Sequence, residues 1–399
     1  MKSRRRNLSE EVPQTITRHS PRLLNADEES WSEIPIEVVT EIFSRLPLQS
    51  IARCRCVSKR WASILRSQDF TDLFFTRSLA RPQLLIAFQI FRGKLVFFSS
   101  PQSRENAPLV AADHHLSFRV EGHCTQISSI VNGLFCIRHD RIVNGGSKTR
   151  ERVFIICNPS TRQSFTLPKM KTRKWTWLTG FLGYDPVEKQ HKVLAMTSRN
   201  DRSKEHQVLT LGTGNLTWRM VKCGKPHPFP VGEGLCINGV LYYTAVSDSV
   251  QMLICFDFRS EKYSFVKPPL ERNLKMEKLI NFQGKLASVR SRIFDSEESL
   301  SLEILILKDP KKHEWAIRIF NLPPMWKDGA AGKYLDVVGV TATNELVLSP
   351  RFPSYLYYYN FVSEDISRVD IQGIGAFEKE PRAHVILNHV EDAKIMELF

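Results

Sequence analysis

At 399 residues, 42% of them hydrophobic, the chain is long enough for two or three domains that each bury a core. It holds no run of 18 or more uncharged apolar residues, and its start, MKSRRRNLSEEVPQTI, has no apolar h-region, so neither a membrane-spanning helix nor a secretory leader is expected. Net charge is +14, of which +11 lies beyond residue 71, and an excess spread over so many loops favours acidic partners without specifying nucleic acid.

Residues 1–29 are polar, charged and aperiodic and read as a disordered basic tail, in which KSRRR is either a nuclear-localisation patch or a solvated charge run. The stretch IPIEVVTEIFSRLPLQSIARCRCVSKRWASIL follows, from Ile34 to Leu65. Ser32 can cap a helix with Pro35 in its first turn. Ile34, Val38, Val39, Ile42, Phe43 and Leu46 then recur on a helical period, and Pro47 ends the run. Leu48, Ile51 and Val57 line a second short helix, and Ser58 caps a third that carries Trp61, Ile64 and Leu65 on one face. Three short helices within residues 30–72 bury too little apolar surface to be robust alone, so their apolar faces need a partner, in this chain or another.

From Leu84 onward the pattern turns to short β-branched and aromatic runs between Gly, Asn, Asp and Pro turns. One kind of strand follows an Asn-Gly turn or a relative of it, as in VNGLFCI, INGVLYYTA and FQGKLASV. The other is a hairpin around a polar turn, as in ICFDFRSEKYSFV, LILKDPKKHEWAI and YYYNFVSEDISRV. The turn residues of these three hairpins, Asp257, Asp309 and Asn360, lie 52 and 51 positions apart. A period near fifty suits propeller blades of the kelch size, and the length available allows about six. A pair of irregular β-sandwiches is the competing architecture. The expected fold class is therefore α+β multidomain, a small three-helix unit at 30–72 followed by a large all-β, propeller-like domain at 73–385, with 386–399 as a C-terminal tail.

Chemical motifs are sparse. The eight cysteines form no CxxC pair, and Cys54 and Cys56 alone cannot close a zinc site, so buried free thiols in a reducing compartment, cytosol or nucleus, are expected and no metal or cofactor. His114-His115 and His139-Asp140 fall in predicted loops and read as surface histidines. LGTGN is a hairpin turn rather than a phosphate loop, and Asp185 in GYDPVEKQ reads as a turn former. No Ser elbow, HExxH or Walker pattern occurs. LPKMKTRKWTWL interleaves Lys169, Lys171, Arg173 and Lys174 with Trp175 and Trp177. It reads as a solvated basic loop before a strand, as a site for an acidic protein partner, or as a site for single-stranded nucleic acid, the last being disfavoured.

The helical stretch resembles the F-box: Ile34-Pro35, Ile42, Leu46-Pro47, Ile51, Val57, Lys59, Trp61, Ile64 and a closing Phe70 stand in the family's order. ICNPSTRQSFTLP, GYDPVEKQHKVLAMT, CFDFRSEKYSFV and HEWAIRIFNLPP are similar to successive blocks of the plant F-box-associated domain. The resemblance implies a non-catalytic substrate receptor of a Skp–cullin–F-box ubiquitin ligase. In that reading Ile34, Pro35, Ile42, Leu46, Pro47, Ile51, Val57 and Trp61 form or support the face that meets a Skp-family adaptor, and the adaptor reaches the cullin scaffold. The β domain holds a protein substrate that the sequence does not name, with Lys169, Lys171, Arg173 and Lys174 as candidate contacts, in nucleus or cytoplasm. The competing function is a propeller-type enzyme or carbohydrate-binding module, against which the lack of paired carboxylates in recognisable motifs argues.

Overall fold

The computed structural model describes residues 34–90, 94–102, 109–111, 113–119, 123–143, 149–170, 177–199, 202–246, 251–269, 277–293, 300–322, 335–375, 377 and 383–396. Among them, four helices precede the sheets, one more than the periodicity suggested. Helix α1 (Ile36–Ser44) and α2 (Leu48–Cys54) each start directly after a proline, Pro35 and Pro47, which sit at the N-cap with extended backbone. Pro35 is thus the N-cap itself rather than a first-turn residue, and its missing N–H is equally harmless there; Ser32 lies outside the described residues. Ser58 caps α3 (Lys59–Ile64) by accepting from the Trp61 N–H at 3.1 Å. Ser67 does the same for α4 (Gln68–Leu79) from the Phe70 N–H at 3.2 Å. Val57 belongs to none of them: α2 ends before it, and it stands exposed in the following turn. Val39, Phe43, Leu48, Ile51, Ile64, Leu65, Phe70 and Phe74 make the core of this unit.

The remainder is a six-bladed propeller, each blade built on four antiparallel strands and one of them carrying a fifth, parallel strand. The second blade is β5 (His123–Ile127), β6 (Phe135–Val143), β7 (Thr149–Asn158) and β8 (Gln163–Thr166). The third is β9 (Trp177–Asp185), β10 (Gln190–Arg199), β11 (Arg202–Thr210) and β12 (Arg219–Val221), and the fourth is β13 (Pro230–Ile237), β14 (Val240–Val246), β15 (Gln251–Asp257) and β16 (Lys262–Val266). The fifth is β17 (Lys278–Phe282), β18 (Lys285–Ile293), β19 (Leu300–Asp309) and β20 (Glu314–Asn321). The sixth is β21 (Leu335–Val340), β22 (Glu345–Pro350), β23 (Tyr355–Asn360) and β24 (Ile366–Gln372). The first blade joins the two ends of the chain: β1 (Gln83–Ile90), β2 (Lys94–Pro101) and β4 (Asp113–Arg119) take β25 (Ala383–His389) as their inner strand. A second lock crosses the same seam, where β3 (Leu109–Ala111) pairs parallel with β24. Asn388 fastens it further, exchanging side-chain and backbone hydrogen bonds with Gln102 and donating to the Val340 carbonyl at 2.9 Å.

The fifty-residue period has a local cause. In the β7–β8, β15–β16, β19–β20 and β23–β24 turns, Asn158, Asp257, Asp309 and Asn360 each accept, through one side-chain oxygen, the backbone N–H groups two and three residues on, and Asp185 does the same in the β9–β10 turn, off that period. The residue four on, Arg162, Lys189, Glu261, His313 or Glu364, then takes positive φ. The short polar side chain thereby replaces the hydrogen bonds a longer turn would need. The other hairpin turns carry Asn132-Gly133, Asn238-Gly239 and Gln283-Gly284, all at positive φ.

Blades pack through apolar faces, and β9 shows how tightly. A Cβ on Gly183 would lie 1.7 Å from the Phe258 ring of the fourth blade, and one on Gly180 would lie 2.5 Å from the Phe154 ring of the second. The two glycines of TGFLGYD are therefore sockets for neighbouring aromatic rings. Two expectations of loop histidines fail: His114 and His115 lie in β4, His139 and Asp140 in β6, and His139 is buried in the sheet.

Candidate functional site

In each blade of four antiparallel strands, the first-to-second and third-to-fourth connections leave from the same end. The helical unit sits on that end of the propeller. Asp72 of α4 forms an ion pair with Lys189 of the β9–β10 turn at 2.9 Å. The stronger tie is the segment after β25. Ala393 is fully buried in the helical core, and its carbonyl accepts from Arg55 Nη2 at 2.6 Å while the same nitrogen reaches the Leu65 carbonyl at 2.9 Å. On its other side, Asn158 Nδ2 donates to the Asp392 and Lys394 carbonyls, Ser160 Oγ accepts from the Asp392 N–H at 3.1 Å, and Gln163 Oε1 accepts from the Met396 N–H at 2.8 Å. The segment is a strap, held by the helices above and the second blade below. A cavity of about 380 Å³ opens beside it, lined by Asp72, Phe75, Tyr184, Lys189, His191 and Asp392 among others. Burial pushes the Asp392 carboxyl up to about 6, although the Lys394 N–H and ammonium oppose the shift. Burial likewise pushes His191 down to about 4.

Helix α1 is apolar on more than one side. Val39 and Phe43 face the core, where the Phe43 ring meets Trp61 edge-on at 4.9 Å. Val38 and Ile42, one turn apart on the adjacent face, stand exposed, as do Ile36 at the helix start and Val57 beyond α2. Glu41 accepts from Arg45 and Arg77, bonds that hold its carboxyl below the usual range and tie α1 to α4. The residues singled out from sequence therefore divide. Ile42, Val57, Pro35 and Pro47 are at the surface. Ile34, Leu46 and Trp61 are half-buried against the core, and Ile51 is wholly inside it. Ile36 and Val38 were not singled out; their signal is that α1 carries more apolar residues than one buried face requires. Of the basic loop, Lys169 is exposed just past β8, and Lys171, Arg173 and Lys174 lie outside the described residues. The inner strands line a central channel of about 400 Å³, with Glu233, Lys278 and Asp336 among its polar groups.

A closed six-bladed propeller carrying a small helical unit with exposed apolar side chains is a two-part architecture. Residues 31–73 match the F-box domain and residues 83–390 the F-box associated beta propeller domain, and the chain belongs to the family of F-box proteins with this propeller. It is 46% identical to the F-box protein DOR of Arabidopsis thaliana over 99% of this chain and 100% of that one, and 40% identical to F-box protein At5g65850 of the same plant over 99% of both. Among solved structures, a chain of the Nidogen/Laminin complex superposes with a TM-score of 0.45 at 12% identity, over 77% of this chain and 98% of that one.

Proposed function

We propose that the protein is the substrate-recognition subunit of a Skp–cullin–F-box ubiquitin ligase, acting in the cytosol or nucleus. The observation that carries this reading is the division of α1: one face completes the F-box core, while Val38 and Ile42 beside it, with Ile36 and Val57, are left for another chain. Exposed apolar side chains next to prolines at a helix start are a surface that association would cover. Ile34, Leu46, Ile51 and Trp61 support that surface from beneath. The cullin is reached through the adaptor.

The receptor contributes no bond chemistry in this role. It holds a substrate protein near a ubiquitin-charged enzyme and raises its effective concentration, to about the millimolar range for short tethers. The strap matters here, because it fixes the F-box to the propeller and so limits the volume that a bound substrate explores. The substrate surface is assigned to propeller loops away from the F-box, with Lys169 its described basic member; loops vary while strands are committed to packing.

The test is co-expression of the full chain with a Skp-family adaptor. The pair is expected to co-elute on size exclusion, and Leu46→Ala with Pro47→Ala is expected to weaken that association while the propeller stays folded by circular dichroism. Undiminished co-elution of the double variant would remove these residues from the adaptor surface.

A further inference from the structure

On the outer rim between the third and fourth blades, His206 of β11 and Cys223 and His227 of the β12–β13 connection bring one donor atom each to within 4.8 Å of one another. The fold creates this proximity. His206 faces Val221 across the β11–β12 pair, two residues before Cys223, and the chain then turns back so that the His227 ring lies 5.3 Å from the His206 ring. Both imidazoles are buried, at 3% and 2% exposure, and Cys223 is half-buried.

Burial pushes His206 down to about 4 and also lowers His227, so both rings are neutral near pH 7, the form that offers a lone pair. His227 Nδ1–H donates to the Pro228 carbonyl at 2.6 Å, which leaves Nε2 unprotonated. A backbone carbonyl on the far ring nitrogen is the support that orients metal-bound histidines. The His206 Nδ1 has a comparable support in the Tyr263 hydroxyl at 2.5 Å. The Cys223 thiol donates to the Lys225 carbonyl at 3.2 Å, and burial raises its titration, so it carries its proton until something replaces it.

We propose that His206, Cys223 and His227 form a binding site for a divalent transition metal, zinc foremost, with a fourth position open to water. Two imidazoles and one thiol select a borderline ion over calcium or magnesium, which take oxygen ligands. Zinc sits about 2.0–2.1 Å from nitrogen and about 2.3 Å from sulfur, which sets donors roughly 3–4 Å apart. The trio therefore closes by about 1 Å, and the connection bearing Cys223 and His227 can supply that movement. Binding exchanges the thiol proton for the metal, so one proton leaves per ion and affinity falls as pH falls. The Tyr243 hydroxyl, 3.2 Å from His227 Nε2, competes for the same lone pair. The consequence of occupancy is structural: residues 222–230 become pinned to the third blade. Without a metal role the two histidines are members of an aromatic cluster with Tyr263 and Phe265, with Cys223 at its side.

Cobalt(II) chloride titrated into the full chain, purified with its adaptor and stripped with chelator, decides between these. The expected result is one cobalt bound per chain, with tetrahedral d–d bands and a sulfur-to-cobalt charge-transfer band, displaced by an equivalent of zinc. Cys223→Ser, a conservative change at a half-buried site, is expected to lose the charge-transfer band while circular dichroism is unchanged. Tyr243→Phe is expected to tighten binding, and Cys56→Ser, an exposed thiol of the F-box, to leave it as it was. No tetrahedral bands in the parent protein, or a charge-transfer band that survives Cys223→Ser, would overturn the site.

Discussion

Ile42 and Phe43 are neighbours in α1 but face different environments, and substituting each separates adaptor binding from folding. Ile42 is 47% exposed and Val57 65% exposed. Fully burying such a side chain is worth about 1.5–3 kcal/mol, so covering the exposed half leaves roughly 1–1.5 kcal/mol for each. Ile42→Ala together with Val57→Ala should then cost about 2–3 kcal/mol of adaptor affinity, a rise in Kd of roughly 30- to 150-fold. The same pair should barely move the unfolding transition, because neither side chain belongs to the buried core. Phe43 is 4% exposed and stacked edge-on against Trp61. Phe43→Ala should cost about 3–5 kcal/mol of F-box stability through the cavity it leaves. Isothermal titration of a purified Skp-family adaptor into the full chain measures the first effect, and thermal unfolding the second. An unchanged Kd for Ile42→Ala with Val57→Ala, at unchanged stability, would refute the assignment of this face.

Asp392→Asn removes a buried charge from the strap and should raise stability at pH 7.5 by at most about 3 kcal/mol, since a folded pKa near 6 lies about two units above the ordinary value. A raised carboxyl favours the folded state below its unfolded pKa and loses that contribution as pH rises through about 6, so the advantage of the Asn variant should vanish by pH 4; equal midpoint gains at both pH values would contradict this. Gly183→Ala should drive a methyl into the Phe258 ring and lower the thermal midpoint through about 1–3 kcal/mol of overpacking, with Phe258→Leu restoring part of the loss; a silent Gly183→Ala would show that the ring has room. Lys192→Ala should leave the buried Asp185 without its 3.5 Å partner and cost about 3–5 kcal/mol in denaturant unfolding. Burial alone would raise Asp185, but the Glu188 and Val187 N–H groups and Lys192 hold it low, so the Lys192 contribution is present at neutral pH and should fade as pH falls and Asp185 protonates.

What could be read from sequence was what local chemistry decides. Ser58, Pro35 and Pro47 announce helix starts because capping uses residues within one turn, and Asp257, Asp309 and Asn360 set the blade period because each builds its own turn. Helix α4 escaped as a separate element because its apolar content is concentrated in a few positions, Phe70 and Phe74 above all, although Ser67 caps it in the same manner as Ser58. The inner strand β13, PVGEGLCI, was missed for another reason: it is half-buried along most of its length and shows no alternation, since one side faces a polar channel. Non-local partners were out of reach. Nothing in the neighbourhood of Ala393 says that its carbonyl belongs to Arg55, 338 positions earlier. Of the trio, Cys223 and His227 stand at a compact Cys-x3-His spacing, but His206 lies 17 positions before Cys223 and only the β11–β12 pairing brings it in.

The strap also orders events in time. Phe43 and its neighbours leave the ribosome early, but the residue that fills their core, Ala393, comes 350 positions later. At roughly 5–20 residues per second, the helical unit waits on the order of a minute or less before it can close. A product cut short by a premature stop ahead of residue 383 would lack both the inner strand of the first blade and the plug beneath the F-box, so its helices would be left with an unfilled core. On the proposed function, competence to join a ligase would report that the whole propeller had been made, and fragments would be poor partners for the adaptor.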